Sequence, residues 1–218
     1  MMQKISRQAA VCAVAGGALT AVAGIVVQAV VVPNSTVSEQ LWSYPWPSDQ
    51  FTLVSILYAI FHVLVCVGMA GFARSGLAGD GRVARIGAWM AFGGTVVLFA
   101  AELASIPVGD QLIEERGPSA VGAMFGVGTV VAAIGFLLAG VTTLRAGRWQ
   151  GWRRFTPLVA GLTLVAITGS VGTDVMSASI AAYGIGALGL GLAMLTQPDP
   201  RGVMTDQVSE PRRAPAGR

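Results

Sequence analysis

Charge is what this sequence has least of. Only 11% of its 218 residues are Asp, Glu, Lys or Arg, against roughly 25% in an ordinary soluble domain. So few charges exclude a sizeable domain standing in water. Histidine occurs once and cysteine twice, which excludes bis-histidine haem ligation, multi-histidine metal cages, zinc spacings and a disulfide framework. Also missing are HExxH, GxSxG with a downstream histidine, a Walker lysine loop and a glycine-rich dinucleotide fingerprint. Zinc-protease, hydrolase, ATPase and flavin readings fall with them. No metal and no cofactor is expected.

What fills the chain instead is apolar: 54% of residues are hydrophobic and the mean hydropathy is +0.67. About 20 such residues cross a bilayer as a helix, and uninterrupted runs lie near 9–32, 51–73, 85–107, 119–143, 155–173 and 176–196. Lipid gives the backbone no hydrogen bonds, so each run must be a helix or a strand of a closed barrel. The period-two alternation of barrel strands is absent. The expected fold class is therefore all-α, a polytopic integral membrane bundle of six transmembrane helices over residues 1–196, followed by a disordered tail, 197–218. The last two runs are parted only by Gly172-Thr173-Asp174, a turn signal, and two spans or one broken segment both remain open. The first run is longer than the 7–15-residue apolar core of a secretory signal, and Cys12 within it reads as a buried helix residue.

A net charge of +3 and a pI near 9.3 could suggest nucleic acid, but the basic residues form no soluble face. They mark orientation instead. Lys4 and Arg7, then Arg74, Arg82 and Arg85, then Arg145, Arg148, Arg153 and Arg154, then Arg201, Arg212, Arg213 and Arg218 occupy alternate connections; only Arg116 lies on the other set. Basic residues stay cytoplasmic, which predicts both termini inside. Glu39, Asp49, Asp110, Glu114, Glu115 and Asp174 occupy the opposite connections.

Helices in lipid associate through small residues. Gly122 and Gly126 make a GxxxG on the fourth run, with Gly135 and Gly140 beyond. Gly184, Gly186, Gly189 and Gly191 lie on the sixth run, and Gly17 and Gly24 on the first. They predict tight packing within the chain, or a homodimer or larger membrane complex through the glycine faces.

Two ionisable residues fall inside runs, Glu102 and His62, and at that depth such residues are functional candidates by default. Thr95, Glu102 and Ser105 share one helical face, and Ser55, Tyr58, His62 and Cys66 share another. Counting about 1.5 Å per residue from the external ends puts Gln28, Glu102 and Tyr58 roughly 6–10 Å deep and His62 roughly 16 Å deep. Burial disfavours the charged form of a carboxyl. Glu102 is thus the candidate proton donor, and Tyr58 and His62 complete the catalytic set, Tyr58 relaying between the other two. The candidate ligand-binding residues are Gln28, Trp42, Tyr44, Trp46 and Asp174. The plainer alternatives are a Glu102 tied to another span, a His62 satisfied by Tyr58 and a backbone carbonyl, and a Trp42–Pro47 segment serving as a stiff interfacial belt. Trp149 and Trp152 would form the matching inner belt.

Ser38-Glu39-Gln40-Leu41-Trp42-Ser43-Tyr44-Pro45, followed by a span carrying His62, resembles the small six-pass bacterial inner-membrane proteins rich in Ala, Gly, Val and Arg. In size and pass number the chain is also similar to compact membrane-embedded terpene cyclases, which pair an acid with aromatic residues, although no motif of theirs maps onto it. No catalytic residue carries over from either. The residues leave three functions open. One is a membrane enzyme or binding protein for a lipophilic, isoprenoid-like small molecule. Another is a non-catalytic accessory subunit of a membrane complex. The third, a proton-coupled transporter, is disfavoured by the missing repeat and missing broken helices.

Overall fold

The computed structural model describes residues 2–196, with side chains described from Arg7 onward; the expected tail lies outside the described residues. Helices account for nearly all of it. The first, α1, runs through Met2–Val26, a π turn at Val27–Val31 and a last turn at Val32–Asn34. Then come α2 (Ser48–Ser75), α3 (Arg82–Ser105, extended by a 3-10 turn at Ile106–Val108) and α4 (Arg116–Ala146). A 3-10 turn at Gly151–Phe155 leads into α5 (Thr156–Ser170), and α6 (Met176–Leu195) follows. Among the described residues there is no strand, only an isolated antiparallel bridge between Leu41 and Leu112.

Local chemistry sets the ends. Gly76 and Gly147 stop α2 and α4 in the left-handed conformation, at φ +69° and +64°, where a side chain would be strained. Pro33 accounts for the π turn. A proline has no N–H to return and its ring crowds the carbonyl four residues back, so the coil widens and the Val32 N–H reaches Val27 instead. Arg74 and Arg145 sit in the last turns of their helices, where cations meet the negative end of the helix dipole.

Among the described residues five helices are long and apolar enough to cross a membrane, Arg7–Asn34, Ser48–Ser75, Arg82–Val108, Arg116–Ala146 and Met176–Leu195, which fits a multi-pass membrane protein. The fifth apolar run instead yields the 15-residue α5, below the usual spanning length of 17–25. It folds back on α6 as an antiparallel hairpin through a turn at Gly172, and Gly186 lies against Ala160.

Each helix packs on its neighbours in sequence, and α6 closes on α1, so the six form a ring visited in chain order. Phe72, Phe136, Met69, Leu164 and Leu190 fill its centre. Outside, the surface is aliphatic: Val22, Leu53, Val127, Leu162 and Ile185, on five different helices, are all more than half exposed. An apolar exterior around a small-residue interior belongs to a chain surrounded by lipid.

Glycine sets how close the backbones come. A methyl group added to Gly94 would meet the backbone of Ala132, and one on Gly135 the backbone of Ala91; Gly87 faces Ala139 and Gly128 faces Leu98, all in one antiparallel register of α3 on α4. The α1–α6 seam repeats the device, with Gly17 against Leu188, Gly184 against Ala21, Gly24 against Ala181 and Gly191 against Val14. The Gly122–Gly126 pair differs from the sequence expectation. Gly126 has open space before it, and Gly122 makes room for the ring of Trp42 rather than for a helix of this chain.

Candidate functional site

The α2–α3 seam near the end of the bundle away from the arginines gathers the polar stripes. The two hydroxyls of Ser55 and Ser105, both buried, meet at 3.5 Å, and Ser105 also donates to the Glu102 carbonyl at 2.6 Å. Tyr58, one turn from Ser55, lies within the electrostatic reach of the Glu102 side chain. Both are half-buried. The Glu102 carboxyl itself has neither a hydrogen-bond nor an ion-pair partner among the described residues; the one ion pair found there joins Arg148 to Asp80. A polar group out of water ordinarily finds a partner. This one finds none among the described residues.

His62 takes the plainer geometry. Its Nδ1–H donates to the Tyr58 carbonyl at 3.1 Å, one turn back on the same helix. That bond orients the ring along α2 without linking it to Glu102. Tyr58 also packs on Phe61, ring centroids 5.7 Å apart.

The ligand-binding candidates separate into two groups. Gln28, in the π turn of α1, spends its amide on α6: its Nε2 donates to the Asp174 carbonyl at 2.8 Å and its Oε1 accepts from the Ala178 N–H at 3.1 Å. That pairing caps the first turn of α6, an orphan-donor position, and it engages Asp174 only through its main chain. The Asp174 side chain is exposed. Trp42, Tyr44 and Trp46 belong to a connection braced by main-chain bonds. Trp42 N–H donates to Gln111 O at 2.9 Å, Ser43 N–H to Gly109 O at 3.2 Å, and Ile113 N–H to Gln40 O at 2.9 Å. The Trp42 ring rests on α4, 6.4 Å from Phe125. The α1–α2 and α3–α4 connections thus form one cap.

The inner aromatic belt is only half as expected. Trp152 is exposed and carries Arg153 at 5.9 Å from its ring. Trp149 is buried against Phe72 instead, at 6.1 Å between ring centroids, with no acceptor for its indole N–H.

One further polar locus stands out more in the structure than in the sequence. Tyr183 of α6 is buried in the bundle centre, and its hydroxyl has no hydrogen-bond partner, although Thr95 and Cys66 lie close by. Thr95 gives its own proton to the Ala91 carbonyl at 2.8 Å. The available signal was the lone tyrosine of a helix rich in glycine, alanine and leucine. Several other hydroxyls bond back along their own helices, as with Thr163 to Ala160 and Thr168 to Leu164, the usual habit of threonine in helices.

Among the described residues no group of three or more His, Cys, Asp or Glu could hold a metal ion. Comparison with known protein families, with curated proteins and with solved structures finds no match for this chain.

Proposed function

We propose that this chain crosses a bacterial inner membrane six times with both termini inside, and that the outer part of its α2–α3 seam binds the polar end of a lipophilic, isoprenoid-like small molecule. The observation that carries the reading is the Glu102 carboxyl, within electrostatic reach of Tyr58 in a half-buried seam and without a hydrogen-bond or ion-pair partner among the described residues. A polar group out of water that is not bonded internally is costly, and a ligand carbonyl or hydroxyl would relieve that cost. Tyr58 would add a second hydrogen bond, and the cap carrying Trp42, Tyr44 and Trp46 would cover the ligand's exposed side. Acid catalysis by Glu102 is the same site carried one step further, with His62 behind Tyr58.

Changing Glu102 to Gln keeps shape and polarity and removes the acid. Lipid extracts of the purified protein, compared by mass spectrometry, should show a bound lipophile depleted by roughly tenfold or more in the variant, the scale of one charged-group hydrogen bond. Equal retention would remove the site. If the site is catalytic, turnover is lost while the variant still elutes as folded protein in detergent.

A specific observation favours the accessory-subunit reading as well. Gly126 is exposed on α4 with open space in front of it, so a helix from a second copy or another subunit could approach as closely there as α3 does at Gly135. Gly126→Leu should then abolish co-purification of a stoichiometric partner, or of the dimer, without unfolding the chain.

A further inference from the structure

The connection between α2 and α3, residues 76–81, separates two clefts at the arginine-rich end. The larger, about 480 Å³, lies between this connection, the first turn of α3 and the last turns of α4, and is lined by Arg82, Arg145, Arg148 and Thr142. The smaller, about 260 Å³, adds Arg74 and Arg85 on the other side. Asp80 is the one carboxylate lining either. It is engaged, since it pairs with Arg148, whose Nη1 also donates to the Gly76 carbonyl at 2.6 Å. Arg74 lies 6.0 Å over the Trp89 ring. Arg82 and Arg145 line the larger cleft with no acid partner among the described residues.

The cleft is not polar throughout. Val83 lines it at 53% exposure, and Ile86, one turn further along α3, and Val141, near the end of α4, are exposed aliphatic side chains at a neighbouring level. The Gly87–Ala139 register brings those two side chains to the same level. Guanidiniums at the helix ends with exposed aliphatic side chains directly beneath them match an amphiphile with an anionic head. Arginine's planar fork suits phosphate oxygens, and an acyl chain would continue over Val83, Ile86 and Val141.

We infer that this cleft is a headgroup site for an anionic phospholipid. Arg82 and Arg145 hold the phosphate oxygens, and Val83 packs against the first methylenes. Arg148, already committed to Asp80 and Gly76, fixes the position of the connection. Free phosphate shares the head chemistry but gains nothing from the aliphatic wall.

Native mass spectrometry of the full chain in detergent tests this, with added phosphatidylglycerol, phosphatidylcholine or inorganic phosphate. Two variant pairs remove equal charge from the same end: R82Q/R145Q inside the cleft, and R153Q/R154Q outside it. Phosphatidylglycerol adducts should persist in the native chain and in R153Q/R154Q, and fall about tenfold or more in R82Q/R145Q, where two basic contacts are lost. Equal losses in both pairs would mean a diffuse positive field and overturn the site. Adduct formation by phosphate as strong as by phosphatidylglycerol would overturn the lipid assignment. R82K/R145K keeps the charge and loses the fork, which guards against misfolding of the glutamine pair. Retention should fall severalfold there, and unchanged retention contradicts the proposed geometry.

Discussion

Two buried hydroxyl and carboxyl groups meet opposite fates in this bundle, and each suggests a substitution. Tyr183 keeps a hydroxyl in the core that makes no well-formed hydrogen bond, with only the Thr95 oxygen at hand as an acceptor. Removing a buried polar atom that makes no bond costs nothing and spares its desolvation. Tyr183→Phe should therefore leave thermal stability unchanged or raise it by up to about 1 kcal/mol; a clear loss in a detergent melting curve would show that the hydroxyl has a hidden partner. Glu102 is the contrary case, half-buried and open to a partner from outside. Its candidacy could be read from the sequence because an acid in an apolar run is rare enough to stand out, and the same held for Tyr58 on the facing stripe. The fate of Gln28 could not. Nothing in a linear pattern says that its amide reaches across to Asp174 and Ala178, because that contact depends on how α1 and α6 close the ring.

At the scale of elements, the decisive chemistry is the bare Cα. Gly17 and Gly24, Gly87 and Gly94, Gly128 and Gly135, and Gly184 and Gly191 each stand seven residues apart, and each pair lies on one of the two closest helix seams. A seven-residue repeat keeps small residues on one face of a gently left-handed antiparallel pair. That spacing was present in the sequence, but the shorter GxxxG drew attention to Gly122 and Gly126, of which one faces a tryptophan ring and the other nothing. Two substitutions separate these cases. Gly94→Val drives a branched side chain into the Ala132 backbone, with an expected cost of about 1–3 kcal/mol and a matching fall in melting temperature. Gly126→Ala should stay within about 0.5 kcal/mol of the native chain. If both variants melt alike, the α3–α4 seam is looser than described.

The ring order of the whole molecule bears on transport. Three-plus-three inverted repeats are related by a two-fold axis lying in the membrane plane, and such an axis reverses the sense in which helices are met around a ring. Here the first three helices and the last three run around the ring in the same sense, so the two halves cannot be superposed in that way. Sequence alone showed only that no repeat was visible; the order of packing supplies the reason. Composition and run length revealed the helical bundle directly, because hydrocarbon leaves the backbone few choices. Length was least informative for the fifth run, where α5 stops at Ser170 and the exposed turn through Gly172 takes over, since apolar loop residues such as Val171 and Val175 look the same in sequence as a continuing helix.

That turn is where the account is most directly tested. In a chain freed of Cys12 and Cys66, single cysteines at positions 44, 80, 150 and 173 can be probed in intact cells with a thiol reagent that does not cross membranes. Six crossings with both ends inside require positions 44 and 173 to react from outside, and positions 80 and 150 to react only after the membrane is opened. Position 173 protected in intact cells, alongside 80 and 150, would leave α5 without a crossing and contradict the six-span architecture.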